Sequence, residues 1–300
     1  MSTEISPALR DRVLSRLGLS RNPSADLDGL RSVYAAWCLS VPFDNLAKLV
    51  ALRTTPDQPL PGMDATEFFE RWLAHGVGGT CWSTGNALHE LLASLGFNAR
   101  RVAGSMRDTG YIGHGSVKVR IDDIDWLVDP SMLTDIPVPL TSEIFISGDS
   151  VYGAESELAD DGTHLVWADL PPNPTLIPCR LLVDPTDHPY YVERFEASRT
   201  RSPFNERLYI RRNRKAERLV LNANTRILKT IDGTDSRDLN PFELCDCLVD
   251  EFGVSEEFVD MWRNAGALEA SYGPASTPPA PITIVPPSQR LNRDQSKQES

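Results

Sequence analysis

The sequence predicts an α+β fold, because its hydrophobic periodicity changes twice along the 300 residues. Apolar residues recur at helical spacing through roughly the first third of the chain. Short alternating apolar runs, punctuated by glycine and proline, follow in the middle. Helical spacing returns after residue 240. This order is typical of a helical bundle joined to an antiparallel sheet or barrel, with further helices after it.

Four helices are predicted before residue 97, each with a recognisable end. They cover residues 9–17, 30–38, 64–74 and 83–95. Gly18, Gly76 and Gly96 follow three of them as stop signals, and Asp64 stands at the N-cap of the third. Cys38 falls on the apolar stripe of the second helix, so we expect it to be a core residue.

Strands are predicted for most of the remaining chain. Alternating or β-rich runs lie near residues 117–121, 126–128, 163–167, 180–183, 190–195, 208–211 and 218–221. Two more helices are expected at 242–252 and 256–264. From Gly273 onward the chain turns to Pro, Ser, Thr and Gln, which predicts a flexible tail.

Composition excludes several classes of function. A formal net charge of −12 argues against nucleic acid and membrane as partners. The N-terminus has neither a basic nor an apolar signal region, so a cytoplasmic location is expected. An odd number of scattered cysteines does not indicate a disulfide framework. They are Cys38, Cys81, Cys179, Cys245 and Cys247. We expect no metal site and no bound cofactor.

One stretch runs against the overall acidity. Its basic residues are Arg199, Arg201, Arg207, Arg211, Arg212, Arg214, Lys215 and Arg218. The simpler interpretation is a solvated strand face. The alternative is a patch that binds the phosphates of coenzyme A or an acidic carrier protein, since guanidinium groups suit phosphate oxygens.

Cys81 is the strongest candidate for chemistry. It follows two glycines and precedes the predicted helix at 83–95, so a helix N-terminus would favour its thiolate. The glycines would allow close backbone approach or a positive φ. His114, between two glycines before a strand, is the best base among five histidines. Asp129 ends the next strand, and a hairpin would bring it to His114 to orient the imidazole.

Several segments resemble the arylamine N-acetyltransferase family. The segment at 78–82, Gly-Gly-Thr-Cys-Trp, is similar to its nucleophile motif, and 41–46, Val-Pro-Phe-Asp-Asn-Leu, is similar to a motif near its first helices. His114 and Asp129 correspond to its base and its orienting aspartate. Further matches lie at 95–97, 202–205 and 251–254.

The resemblance implies a cysteine-protease or transglutaminase-like core within an N-terminal helical bundle, an antiparallel β-barrel and a C-terminal α/β lid. We expect these over 1–97, 98–207 and 208–272, with the tail at 273–300. It also implies ping-pong transfer of an acyl group from acetyl-CoA or a related carrier thioester, through Cys81, to an aromatic amine or hydrazine. The residues that bind the co-substrate are not identified.

Departures from the family pattern leave the donor open. Val77 stands where the nucleophile motif begins with arginine, and Pro130-Ser131-Met132 follow Asp129. These changes suit a modified donor pocket, as in the amide synthases of antibiotic biosynthesis. A transglutaminase-like enzyme acting on amides is the main alternative, because an aspartate-proline pair is similar to the end of its motif. A non-catalytic binding scaffold is the third possibility.

Overall fold

The computed structural model describes residues 4–19, 22–148, 150–274 and 280–298. Its first part is helical with one short strand. The elements are α1 Pro7–Arg16, α2 Leu27–Ser40, β1 Phe43–Asp44, α3 Leu46–Thr54, α4 Ala65–His75 and α5 Cys81–Ser94. The apolar face of α4 meets Trp37 of α2, whose ring stacks on Phe68 with centroids 6.2 Å apart. This burial forms the core on which α5 rests.

The second part is an antiparallel sheet that closes almost into a barrel. Among the described residues its strands are β2 Asn98–Met106, β3 His114–Ile121, β4 Ile124–Val128, β5 Val138–Leu140, β6 Phe145–Ile146, β7 Ala154–Leu158, β8 His164–Ala168 and β9 Ile177–Thr186. Their order is β5-β4-β3-β2-β9-β8-β7-β6. The Ser156 hydroxyl donates to Pro139 O at 2.7 Å and links β7 to β5 across the gap.

A second antiparallel sheet and the remaining helices complete the chain. The elements are α6 His188–Ala197, β10 Tyr209–Arg214, β11 Glu217–Asn222, β12 Thr225–Thr230, β13 Gly233–Asp238, α7 Pro241–Asp250, α8 Glu256–Asn264, α9 Ala267–Ala270 and α10 Pro287–Gln298. The sheet order is β1-β10-β11-β12-β13, so β1 of the helical part joins the sheet of the last part. The α+β fold predicted from the sequence is confirmed.

Two sequence expectations need correction. The segment 190–195, predicted as a strand, lies within α6. Asp187 caps that helix by accepting from the Tyr190 N–H, and Tyr191 and Phe195 bury one face a helical turn apart. In the predicted tail, the structure gives residues 287–298 a helix. Ser288 at its start is hydrogen-bonded to Glu155 of β7; residues 275–279 lie outside the described residues.

The sequence reasoning also missed elements. It did not predict α3, β12 or β13, or the long strand β2. The β2 segment contains two arginines and a glycine, which hide its alternation. Within the described part of the chain, no helix combines the length and the apolar character that crossing a bilayer requires.

Candidate active site

Cys81 is the first residue of α5, not a residue ahead of it as the sequence suggested. Thr80 is the N-cap, so the thiol lies at the end of the helix where backbone N–H groups are unpaired and the dipole is positive. The side chain is 8% exposed, and its sulfur donates to Gly113 O at 3.8 Å. A helix N-terminus is a position at which an anion is stabilised.

The glycines before Cys81 are needed for space. A Cβ at Gly78 would lie 2.0 Å from Pro42 O, so no side chain fits there. Gly79 forms a bridge with Phe43 of β1, which fixes the turn against the helical part. Neither glycine has a positive φ, so the expectation of left-handed backbone at this turn is wrong.

The structure brings His114 and Asp129 together through the β3–β4 hairpin. Val117 pairs with Val128, and this register places the first residue of β3 beside the residue that follows β4. His114 Nε2 lies 2.6 Å from Asp129 Oδ2, and both side chains are buried. Because Nε2 is engaged with the carboxylate, Nδ1 is the ring nitrogen left to exchange a proton with Cys81, whose side chain also interacts with the ring.

Asp129 is held rigidly. Its Oδ1 accepts from the backbone N–H groups of Ser131 and Met132 at 2.8 and 2.9 Å. Its carbonyl oxygen accepts from the Tyr34 hydroxyl at 2.7 Å, which ties the turn to α2. With both carboxylate oxygens occupied, the side chain has one orientation in which to meet the imidazole.

The electrostatics of the pair favour its charged form. Burial opposes protonation of His114, but the nearby Asp129 charge and hydrogen bonds outweigh it and raise the pKa of the imidazole well above 6.5. Burial also works against the Asp129 charge, yet the His114 charge and the hydrogen bonds lower the pKa of the carboxyl below 3.8. The surroundings therefore favour an imidazolium beside a carboxylate, which is the state that results when the imidazole takes a proton from the Cys81 thiol.

Cys81 and His114 open onto a cavity of about 820 Å³. One wall is aromatic: Phe43 packs edge to face on Phe204 and Tyr209 with centroids 5.1 and 5.9 Å apart, and Phe204 lies tilted against Tyr209 at 5.4 Å. Gly115, next to His114, lets β3 approach α5, because a Cβ there would lie 2.6 Å from the Trp82 ring. The cavity thus joins the helical part, the barrel and the last part of the chain.

The family resemblance depends in part on three segments that meet beside this cavity: 41–46, 78–82 and 202–205. Asn45 donates its side-chain amide to Phe204 O and Arg207 O at 3.1 and 2.7 Å and accepts from the Tyr209 N–H at 2.9 Å. Asp44 accepts from the Gly78 N–H at 2.6 Å. The 41–46 segment therefore positions both the nucleophile turn and the loop that carries Phe204.

Lys48 is a cavity residue that the sequence reasoning missed. It lies on α3, itself unpredicted, and is 4% exposed. Its Nζ donates to Ser198 Oγ and Ser198 O at 2.7 and 3.3 Å. Burial lowers its pKa to about 8, despite the opposing effect of Cys81. A lysine inside an apolar-looking helix run was the signal available in the sequence.

The basic stretch at 199–218 is not one solvated face, so that interpretation is wrong for its buried members. Arg211 is 2% exposed and donates to Ser131 O, while Arg218 is fully buried and donates to Leu133 O. Both thus hold the turn after Asp129. Three members line the cavity: Arg201, Arg207 and Arg211.

The other histidines lie outside the cavity. His75 bonds Ser255, His89 bonds Glu90, and His188 lies 3.4 Å from Met63 O. Cys38 is fully buried, as predicted. Cys179, which carried no sequence signal, is buried close enough to His114 to interact with its charge, and burial raises its own pKa to about 12.

Comparison with known proteins places this fold in one class. A family model described as N-acetyltransferase matches residues 26–147. The arylamine N-acetyltransferase of Mycobacterium marinum, solved in complex with CoA, superposes with a TM-score of 0.72 at 20% identity, covering 86% of this chain and 96% of that one. The chain therefore has the fold of the arylamine N-acetyltransferases.

Two curated relatives match over shorter segments. Proansamycin X synthase of Amycolatopsis mediterranei is 30% identical over 121 residues, which are 39% of this chain and 45% of that protein. The arylamine N-acetyltransferase of Mycolicibacterium smegmatis is 32% identical over 91 residues, 30% of this chain and 31% of that protein. The match thus spans less than half of either relative. The resemblance to the arylamine N-acetyltransferase family inferred from sequence is confirmed.

Proposed function

We propose that this protein transfers an acyl group from a thioester to an aromatic amine or hydrazine through an acyl-cysteine at Cys81. The observation that carries the proposal is the 2.6 Å contact of His114 with Asp129, beside a thiol that opens onto the same cavity. Similarity to an arylamine N-acetyltransferase structure solved with CoA supports acetyl-CoA or a related acyl-CoA as donor. An acyl carrier protein is the alternative source of the thioester.

The first half-reaction follows from the charge state of the site. His114 Nδ1 takes the Cys81 proton, and the imidazolium is stabilised by Asp129. The thiolate attacks the thioester carbonyl, the bond from that carbon to the donor sulfur breaks, and His114 returns the proton to the departing thiolate. Cys81 then carries the acyl group, and the free thiol of the donor leaves.

The second half-reaction reverses the roles of the same groups. The amine nitrogen attacks the acyl-cysteine carbonyl, and His114 accepts the proton that the nitrogen must lose. The carbon–sulfur bond breaks, and the proton passes to the Cys81 sulfur. The product is an amide. The aromatic wall of Phe43, Phe204 and Tyr209 suits a flat aromatic acceptor.

A variant of this function is amide synthesis on a larger acyl chain. The match to proansamycin X synthase and a cavity of about 820 Å³ favour it. A transglutaminase-like activity shares the thiol, imidazole and carboxylate. It would not require the contacts that Asn45 makes to the Phe204 loop, so we place it second.

Intact-mass measurement tests the proposal. The protein is incubated with acetyl, hexanoyl and longer acyl thioesters of CoA, and the mass is recorded before and after an arylamine is added. We expect an adduct that the amine removes and that Cys81→Ser lacks. His114→Asn is expected to slow adduct formation roughly 10²- to 10⁴-fold. Release of ammonia from glutamine peptides without any adduct would favour the transglutaminase-like activity instead.

A further inference from the structure

The cavity beside Cys81 carries an unusual charge. Its lining includes six basic residues, and among the residues that the structure describes no Asp or Glu lines it. They are Lys48, Arg107, Arg194, Arg201, Arg207 and Arg211. The chain as a whole has 42 acidic and 30 basic residues, so the positive charge of the cavity lining is opposite to the net charge of the protein. The phosphates of a CoA donor could pair with cations of this lining, so the case for a second anionic group depends on the members that are buried.

Lys48 is one of two buried cations in this set. At 4% exposure it makes two hydrogen bonds, both to Ser198, and no described carboxylate lies within ion-pair distance of its Nζ. The largest influence that raises the pKa of Lys48 comes from Cys81. A smaller one comes from Glu196, whose own oxygens are engaged by the Leu60 N–H and by Arg199. A buried ammonium without a counter-ion is costly unless a ligand supplies one.

Arg211 likewise has no carboxylate partner among the described residues. Its guanidinium is 2% exposed, faces Phe43 and Tyr209, and donates only to neutral oxygens, those of Ser131 and the Tyr209 hydroxyl. Its Nε is buried with no hydrogen-bond partner among the described residues. Two buried cations on one cavity therefore lack carboxylate partners.

We propose that the Lys48–Ser198 corner of the cavity binds a carboxylate carried by one of the two substrates. This rests on the proposed acyl transfer at Cys81. The Ser198 hydroxyl already donates to Phe195 O at 2.6 Å, so a carboxylate there would accept from the Lys48 ammonium. It would complete the pairing of Lys48 and hold the substrate at a fixed distance from the sulfur. The acid group resides either on the aromatic acceptor or at the far end of the acyl chain.

Two matched pairs of compounds distinguish these sources. For the acceptor, 4-aminobenzoate is compared with neutral 4-aminobenzamide by their protection of Cys81 from iodoacetamide, which needs no turnover. For the donor, the adipoyl thioester of CoA is compared with the hexanoyl thioester by the rate of adduct formation on Cys81. We expect the acidic member of one pair to be preferred roughly 10- to 100-fold.

Variants of Lys48 show whether the preference for the acidic compound depends on this lysine. Lys48→Met should abolish the preference and Lys48→Arg should restore part of it, whereas Arg31→Met, which removes an exposed cation of α2, should leave it unchanged. Should the methionine variant not fold, Lys48→Gln replaces it. Equal behaviour of both members in both pairs, or a preference that survives Lys48→Met, overturns the proposal. Protection by the acid without adducts from any thioester would overturn acyl transfer but support the carboxylate site.

Discussion

Asp44 and Gly78 are joined by a 2.6 Å hydrogen bond in which the Gly78 N–H donates to the Asp44 carboxylate. The other carboxylate oxygen accepts from the Leu46 N–H at 3.0 Å. One fully buried side chain thereby connects β1, the start of α3 and the turn before Cys81. The position of the proposed nucleophile thus depends on a residue that does not line the cavity.

Asp44→Ala should damage both stability and acylation. The substitution leaves two buried N–H groups without an acceptor, each costing about 1–3 kcal/mol. It also frees the turn at 78–80, so Cys81 should acylate roughly tenfold more slowly or worse. Urea unfolding and the rate of adduct formation measure the two effects. Unchanged acylation in a folded variant would contradict the positioning role.

Asp129→Asn should preserve the fold and remove most of the activity. The amide oxygen can still accept from the Ser131 and Met132 N–H groups, which keeps the turn in place. The amide nitrogen then faces His114 Nε2 and forces the proton onto Nδ1, the atom that must accept the thiol proton. We expect a loss of roughly 10²- to 10⁴-fold in turnover. Asp123→Asn, at an exposed turn, is the control and should retain full activity.

The His114–Asp129 pair also predicts how stability depends on pH. The folded-state pKa of His114 is raised above 6.5, so its contribution is complete below pH 6.5 and is lost as pH rises through the folded value. The pKa of Asp129 is lowered below 3.8, so its contribution is complete above that pH and is lost on acidification through the folded value.

Subtracting the unfolding free energy of Asp129→Asn from that of the wild type isolates this contribution. The difference should be largest between pH 3.8 and 6.5 and should decline above 6.5, by at most about 1.4 kcal/mol per pH unit. Guanidinium titrations at a series of pH values provide the measurement. A difference that stays constant from pH 6 to pH 9 would show that the pair is not charged in the folded protein.

Each of the three candidate catalytic groups leaves a local signal in the sequence. Cys81 follows a glycine pair, and His114 and Asp129 bracket a hairpin whose strands alternate. The meeting of His114 and Asp129 could be predicted from hairpin geometry alone. The helix at 190–195 was mistaken for a strand because two tyrosines, a valine and a phenylalanine have high β propensity, and its N-cap at Asp187 was overlooked.

The cavity wall could not be read from sequence. Lys48 and Ser198 are 150 residues apart, and only the packing of α3 against the end of α6 brings them together. Arg211 alternates along a strand in a manner typical of a solvated face, yet its guanidinium is buried because it donates to Ser131 O in the turn after Asp129. Long-range contacts of this kind leave no periodic pattern in a single chain.

Gly115→Ala should test how closely β3 must approach α5. A Cβ at this position would lie 2.6 Å from the Trp82 ring and 3.0 Å from Tyr191, whose rings are themselves packed edge to face at 4.9 Å. Overpacking of this degree typically costs about 1–3 kcal/mol. Because His114 is the neighbouring residue, its ring should also move away from Cys81.

Two measurements separate the parts of that effect. Thermal unfolding should report the lost stability, and the iodoacetamide rate of Cys81 should fall as its contact with the imidazole weakens. Gly162→Ala is the control, because its Cβ would have no atom within 4 Å, although its positive φ brings its own strain. An unchanged alkylation rate in Gly115→Ala would mean that the hairpin can shift without disturbing the thiol.

Lys48→Met should stabilise the protein at neutral pH. Burial lowers the pKa of Lys48 from 10.5 to about 8, which at pH 7 corresponds to an unfavourable contribution of about 3 kcal/mol at most. Loss of two hydrogen bonds to Ser198 offsets part of the gain, leaving about 1–2 kcal/mol.

Between pH 8 and 10.5 the unfolded state binds the extra proton, so wild-type stability rises with pH relative to the variant and the gap closes. Urea unfolding at pH 7 and pH 10.5 measures both values, with Arg31→Met as control. A variant less stable than wild type at pH 7 would mean that Lys48 is retained for packing. A more stable variant is expected if Lys48 is retained to bind a ligand at the expense of stability.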